Sequence, residues 1–534
     1  MLETTTAARG MVVAPHHLAS QAGLRVLAEG GNAIEAVIAA ASTIASVYPH
    51  MNSLGGDNFW LISAPGSDVT GIDACGAAAA RADIAFYRDQ GHDAIPSRGP
   101  LAALTVAGAV SGWQAALEIS RQWGGGLPLP RLLEDAELHA REGFPVTGSQ
   151  HNNTHEKLPE MKGVPGFAET YLVGGKAPET GAIFKNPAFA RTLERLGRDG
   201  LDDFYRGGLA RDIAADLTAA GSPVSELDLA GHRAITLTPL LLDLNDGTVF
   251  NMPPPTQGLA SLILLGVFER LGVNAAEGFE FVHGIVEATK CAFRVRDAHV
   301  TDPAYMDVDP AGFLTPEALD GMAASVDPEK AAPWPEAAPG GDTVWLGAID
   351  GEGRAVSFIQ SIYWEFGSGV VLPETGLTWQ NRGTSFNLNE GAHNCLMPGR
   401  RPFHTIQPVL ARLPDGRVMV FGTMGGEGQP QTQAMIFTRH VLFGQGLQQA
   451  VTAPRWLLGR TWGAETTNLR IENRFDDGVI EALESAGHDV EVVGPFEEFT
   501  GHAGALVHHP PEGKNGGLIE GAADPRSDGS AEGF

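Results

Sequence analysis

The sequence predicts an α/β fold in which two stacked, mainly antiparallel sheets are covered by helices on both sides. Three observations carry that expectation. The runs TVWLGAID (343–350) and AVSFIQSIYW (355–364) are strand-like and joined by Gly351-Glu352-Gly353, which reads as a β-hairpin. A second pair, PVLARL (408–413) and VMVFGTM (418–424), is joined by Pro414-Asp415-Gly416 in the same way. Segments of helical period flank both pairs.

Taken in order, 17–28 and 33–47 have helical period and are separated by the Gly30-Gly31 breaker. Residues 58–62 read as a strand after the Gly55-Gly56 turn. A helix is expected over 107–123, and another from Pro130, suited to a first helical position, to Glu142, where Gly143 and then Pro145 end it. Helical period returns over 205–220, and 227–246 mixes short strands with loops. Met252-Pro253-Pro254-Pro255 cannot lie inside a helix or a central strand and reads as a rigid loop. Two long helices follow, over 258–270 and 279–299. Residues 328–342, PEKAAPWPEAAPGGD, have no hydrophobic period and read as an exposed, mobile linker. Beyond the hairpins, a helix is expected over 432–443 and strands near Leu469 and Val490.

Composition narrows the function. The 534 residues carry 36 Lys+Arg against 64 Asp+Glu, a net charge of −28, with no basic stretch. Phosphate binding needs clustered positive charge, so nucleic acid is excluded as the main partner. An apolar share of 43% with 19% charged residues suits a buried core. The longest apolar stretch, 33–47, is interrupted by Glu35 and Ser42 and falls short of the roughly 20 residues of a membrane span. The N-terminal residues show no charged region followed by an apolar one, so no secretory signal is read and a cytoplasmic location is expected. Cys75, Cys291 and Cys395 are too few for a disulfide framework and too scattered for a zinc pattern, which fits a reducing compartment. No H-E-x-x-H occurs among the 17 histidines, and neither metal nor cofactor is expected.

Two local features bear chemistry. Thr343 stands at the first position of a strand, directly after the Gly-rich linker, where a self-cleaving precursor places a nucleophile. Freed at its N-terminus, a threonine has its own amine, of pKa about 8, as general base. Threonine is also a common strand residue, and on pattern alone both readings stand. Gly422 to Pro430, GTMGGEGQP, is a Gly-rich turn before a helix, whose amides converge on negative charge or simply make a left-handed turn. It matches neither a dinucleotide fingerprint nor a P-loop. Phe366-Gly367-Ser368-Gly369 lacks the first glycine of a nucleophile elbow and reads as a strand-end turn.

Together these residues resemble the γ-glutamyltranspeptidase family of N-terminal-nucleophile hydrolases. The shared pieces run in the family's order: Glu29-Gly30-Gly31-Asn32-Ala33, Leu54-Gly55-Gly56, Tyr205-Arg206-Gly207, Met252 to Pro255, Arg401-Pro402-Phe403, Gly425-Gly426, Ala453-Pro454-Arg455 and Ala523 to Ser527. The resemblance implies an αββα sandwich, one composite domain made from a large subunit, 1–342, and a small one, 343–534. It implies cleavage between Asp342 and Thr343, an αβ heterodimer with further dimerisation left open, and a small-molecule amide as substrate. Thr343 falls on the family's nucleophile, Ser361 on a supporting hydroxyl, and Gly425 and Gly426 on its oxyanion hole.

The departures from the family concern substrate recognition. Cys75 stands where an arginine grips a carboxylate in typical transpeptidases, Tyr363 replaces an asparagine, and Arg382 replaces a glutamine. Ser385 takes the place of an amine-binding aspartate, and His404-Thr405 that of a serine pair. Losing both charged partners disfavours a γ-glutamyl group by roughly 1.5–3 kcal/mol each. The pattern resembles the branch of oxamate amidohydrolases and cephalosporin acylases, acting through an acyl-enzyme, with Arg382 either gripping a substrate carboxylate or paired structurally with Glu374 or Asp350. The alternatives are a true glutathione hydrolase with relaxed recognition and an unprocessed, catalytically silent binding protein.

Overall fold

The computed structural model describes residues 3–334, 342–459, 466–512 and 516–534. Two seven-stranded sheets form its centre. One runs Thr5–Ala7, Ile519–Ala523, Gly504–His508, Val418–Gly422, Val409–Arg412, Gly247–Asn251, Leu240–Leu244. The other runs Ser530–Gly533, Gly10–Ala14, Asp342–Asp350, Ala355–Tyr363, Asp57–Ser63, Thr70–Ala74, Ile235–Leu237. Every neighbouring pair in both sheets is antiparallel.

The period of two along each strand sorts side chains into layers. From the strand Asp342–Asp350, Trp345 and Ile349 enter a cluster with Leu410, Val420 and Leu506 of the facing sheet. Val344, Leu346 and Ala348 turn the other way, onto a cluster that includes the helix Ala33–Val47. On the facing sheet Ala411, Met419, Phe421, Ala505 and Val507 point outward onto the helices Gly258–Arg270, Phe279–His299 and Gly428–Phe437. The order is therefore helix, sheet, sheet, helix. Each large aliphatic or aromatic side chain so buried contributes about 1.5–3 kcal/mol. Trp345 packs between the sheets: its Nε1 is fixed by Ser357 Oγ of the neighbouring strand at 3.0 Å, and its ring lies against Gly422 of the facing sheet, where a Cβ would sit 2.2 Å from Trp345 Cδ1.

Helix starts follow capping chemistry. Asn32 and Glu35 form a capping box on Ala33–Val47, and Asp350 Oδ2 accepts the Ala33 N–H at 3.0 Å, tying that helix to the end of the central strand. The helix expected over 107–123 is Ala109–Gln122, and that from 130 starts at Leu129. Four expectations need correction. A capped helix, Glu226–Gly231, forms at the start of 227–246, because Ser225 and Asp228 satisfy each other's amides. The helix expected from 432 starts at Gly428, directly on the Gly-rich turn, and ends in the π-turn Thr438–Leu442. The strands at Leu469 and Val490 join Trp456–Leu458 in a separate three-stranded sheet, where they pair in parallel. In the linker, Ala331 N–H bonds Ala486 O and Ala332 N–H bonds Glu287 Oε2, so its first part is anchored; 335–341 lie outside the described residues.

Motif arginines hold the C-terminal part of the chain together. Arg455 reaches Asp524, and Arg526 bonds Glu472 and Asp524, all fully buried. Among the described residues no helix is long and apolar enough to cross a membrane.

His16 shows how burial couples this fold to pH. Its Nδ1 accepts the Leu18 N–H at 3.2 Å, capping the helix His17–Ala28, which requires a neutral ring. Burial, with His17, holds its pKa down at about 3. The unfolded chain therefore binds a proton that the folded one refuses, and stability falls as pH drops from the free value of about 6.5 toward 3, by up to about 1.4 kcal/mol per pH unit. His16→Asn keeps a capping oxygen and removes the proton site. Urea unfolding between pH 7 and 4.5 should show a shallower loss of stability in that variant than in the parent.

Candidate active site

Thr343 lies fully buried at the start of the central strand. The ladder with Ala355–Tyr363 is regular from Ile349 opposite Ala355 to Val344 opposite Gln360, then slips so that Asp342 faces Tyr363. Ser361 and Ile362 thus stand against Thr343 alone, a bulge that bends the strand end and re-aims its side chains. The Ser361 hydroxyl, at the same turn, accepts the Tyr363 N–H at 2.8 Å. Gln429 Nε2 donates to Thr343 Oγ1 at 3.4 Å, and the Gln407 N–H donates to Gln429 Oε1 at 3.2 Å, fixing which way the amide points.

Close backbone approach explains two glycines. A Cβ on Gly56 would lie 2.1 Å from Ser361 O, and one on Gly55 2.2 Å from Thr378 O. Only glycine lets the 54–56 turn press against the strand that carries Ser361. Gly425 and Gly426 have φ of +109° and +51°, conformations that favour glycine. Their carbonyls accept from the Gly428 and Gln429 amides, opening the helix Gly428–Phe437, and Gln257 Nε2 holds Gly426 O at 2.7 Å. No described residue takes a hydrogen bond from the Gly425 or Gly426 amide. Two such donors at a helix N-terminus form a ready acceptor site for an oxyanion.

The strongest electrostatic signal is Arg382. Its side chain is wholly buried, its guanidinium carbon sits 3.9 Å over the Tyr363 ring, and Nη1 donates to Thr405 Oγ1 at 3.3 Å. Tyr363 presents that ring from a left-handed backbone, φ +83°. Glu374 and Asp350, the partners expected of a structural arginine, do not touch it: Asp350 pairs with Arg354 at 2.7 Å, and the Glu374 amide bonds Asp216. Burial pulls the Arg382 pKa down to about 10 against the upward pull of Tyr363, Asp57 and Cys75, so the group stays cationic at neutral pH. Nε and Nη2 have no partner among the described residues. These two donors form one edge of the guanidinium, the edge that takes a carboxylate bidentately. Burying such a charge costs several kcal/mol, offset in part by a desolvated cation–π contact of about 2 and one charge-assisted hydrogen bond of about 1.5–3.

The other expected binding residues divide. His404 is buried, with Nδ1 on Pro402 O at 2.9 Å and Nε2 on Asp57 Oδ2 at 3.0 Å. Pro402 O only accepts, so Nδ1 carries a proton and Nε2 faces Asp57. Burial and the Arg382 charge pull the His404 pKa down, Asp57 pulls it back, and the net is downward. Thr405 Oγ1 serves Arg382, while Thr405 O holds Gln257. Ser385 and Tyr363 line a cavity of about 80 Å³ with Arg296, Asp297, His393 and Phe403. Cys75 borders a different hollow, beside Asp73 and Arg401. Burial, then Asp73, pushes its thiol well above the usual value, so it supplies no charge in place of an arginine. Arg401, which lines the same hollow, is spent on Asp73 and Asp302.

Sequence reading passed over three residues. Asp57 Oδ1 accepts the Gly76 and Gly108 amides at 3.0 and 2.9 Å, joining two loops behind His404. Gln429 reaches Thr343, and Gln257 ties the Thr405 and Gly426 carbonyls together. Asp57 directly follows the Gly55-Gly56 pair, and Gln429 lies within the Gly-rich turn, so position beside an expected site was the available signal.

A family model described as gamma-glutamyltranspeptidase matches residues 19–534. An oxamate amidohydrolase proenzyme of Klebsiella pneumoniae is 55% identical over 535 residues, 100% of both chains. A glutathione hydrolase-like proenzyme of Bacillus subtilis is 39% identical, again over 100% of both. Among solved structures, the cephalosporin acylase of Bacillus halodurans superposes with a TM-score of 0.91 at 32% identity, covering 100% of this chain and 97% of that one.

Gly56→Ala places a methyl group against Ser361 O with no room to relax. Denaturant midpoints should report a loss of about 2–4 kcal/mol, whereas Gly163→Ala, at an exposed turn with open space, should lose less than half of that.

Proposed function

The chain belongs to the gamma-glutamyltranspeptidase family, and from that premise we propose that it is an amidohydrolase of small carboxylate-bearing amides, of which oxamate is the simplest. The carrying observation is the buried Arg382 edge, Nε and Nη2, left open beside Tyr363. Tyr363, whose ring Arg382 covers, also lines a small cavity of about 80 Å³ with Ser385. The Klebsiella relative's name points to the same substrate.

In this reading the bond between Asp342 and Thr343 is cut by the chain itself, and the freed amine of Thr343 becomes the base. It takes the proton of Thr343 Oγ1 as that oxygen attacks the amide carbon. The amides of Gly425 and Gly426 stabilise the oxyanion, Gln429 orients Oγ1, and Ser361 steadies the strand end. The tetrahedral adduct expels ammonia, which takes the shuttled proton, and leaves an ester on Thr343. Water, activated by the same amine, splits the ester and releases the second carboxylate. For oxamate the balance is oxamate plus water giving oxalate and ammonium. Arg382 holds the carboxylate that does not react, bidentately, so the reacting carbonyl is placed by the far end of the molecule.

Denaturing electrophoresis should resolve fragments 1–342 and 343–534 from the purified protein. Thr343→Ala should give one intact chain without amidase activity; cleavage at this junction in that variant would overturn the mechanism. Arg382→Ala should lower kcat/KM for oxamate about a hundredfold, as two charge-assisted bonds of about 1.5 kcal/mol each imply. Arg382→Lys, which keeps the charge without the two-donor edge, should recover only part of it. Equal turnover of a carboxylated amide panel by Arg382→Ala and the parent would sink the binding role.

A further inference from the structure

Apart from the threonine site, His283, Glu287 and His488 bring one ligand atom each to within 4.8 Å of one another, and all three are buried. His283 and Glu287 are four residues apart on the helix Phe279–His299 and so share a face. His488 comes from the turn after the helix Asp477–Ser485, more than two hundred residues away. The proton positions follow from the partners. His283 Nε2 lies 2.7 Å from Asp327 O, which can only accept, so the proton is on Nε2 and the Nδ1 lone pair faces inward. That Nδ1 is 2.9 Å from His488 Nε2. An imidazole whose outer nitrogen is held by a carbonyl while its inner lone pair meets a second imidazole and a carboxylate is the arrangement of a ligated histidine.

We propose that His283 Nδ1, His488 Nε2 and a Glu287 oxygen bind one divalent transition ion of the Zn²⁺ type. Two imidazoles and a carboxylate are a borderline-soft donor set, and nitrogens 2.9 Å apart can both reach one ion at about 2.0–2.1 Å. On binding, His488 moves its proton to Nδ1, so neither ring changes charge. The site has one internal competitor. Lys290 Nζ donates to Glu287 Oε1 at 2.6 Å and to Ala332 O at 2.7 Å, and an incoming cation must displace or outweigh it.

What the ion would fasten is clear from the backbone around it. Asp327 O is held by His283, Ala332 N–H by Glu287, and Ala331 N–H by Ala486 O, two residues before His488. The ligand set therefore grips the stretch that leads into the linker and ties it to a segment from beyond Thr343. The bridge between subunits, though not the site, rests on the proposed processing, and ion binding is measurable whether or not the chain is cut.

Calorimetric titration of the chelator-treated full-length protein with Zn²⁺ should show one ion per chain. His488→Ala and Glu287→Gln should each weaken binding at least tenfold, and Lys290→Gln should tighten it at least tenfold by removing the competing ammonium. Co²⁺ in place of Zn²⁺ should give a visible absorption band in the parent and in Lys290→Gln that His488→Ala lacks. Unchanged Zn²⁺ affinity in both ligand variants, or no gain in Lys290→Gln, overturns the site. Because Lys290→Gln keeps every ligand, its result decides the matter even where a ligand variant folds poorly.

Discussion

Both faces of the strand Asp342–Asp350 are buried, one against a second sheet and the other against helices. Much of the architecture follows from that constraint. A strand with no wet face must be central, so it needs a partner on each edge, supplied by Gly10–Ala14 and Ala355–Tyr363. It must also find shape on both sides. Trp345 fills the gap between the sheets only because Gly422 and Gly504 leave space for its ring. A strand fixed in this way has one place where its backbone can depart from the ladder, its first residues, and Thr343 stands there. The rigidity of the sheet is what gives the threonine a defined position.

The site's electrostatics are organised around a charge that the protein alone does not satisfy. Arg382 has an aromatic face under it and a hydroxyl at one corner, but its carboxylate-shaped edge is open. Asp57 lies in the same network without pairing directly, because its oxygens are taken by two loop amides and His404. Negative potential is thus near enough to keep Arg382 charged, while the edge remains available. Had Asp57 faced Arg382 directly, that charge would be paired and the edge closed.

The sandwich was legible because its signals are local. Hairpin turns at 351–353 and 414–416, the capping residues before Ala33–Val47 and the glycine that ends Leu129–Glu142 each act within a few residues. The strand start at Thr343 and the glycine turn at Gly425-Gly426 were legible for the same reason. Arg382 was visible only as a departure from a resembling pattern, and whether it was paired depended on Glu374 and Asp350, whose positions no spacing reveals. Helix Glu226–Gly231 was missed because its reciprocal Ser225–Asp228 cap was passed over amid strand-like neighbours. Asp57 was missed because a carboxylate beside a glycine turn is unremarkable until the amides of Gly76 and Gly108 fold onto it. The His283–Glu287–His488 cluster assembles only when two distant elements meet, so no motif spacing contains it.

The central sheet interleaves strands drawn from both sides of residue 342. Asp342–Asp350 and Ala355–Tyr363 lie side by side, bracketed by Gly10–Ala14 and Asp57–Ser63, with Ser530–Gly533 outside the first of these. Severing the chain before Thr343 would leave this weave intact, since the pieces share three ladders of this sheet and a common core. The change would come on unfolding. Two fragments must find each other in solution, so recovery becomes second-order and dilution works against it. The lifetime of a cut molecule would then be set by how slowly it opens rather than by how stable it is at equilibrium.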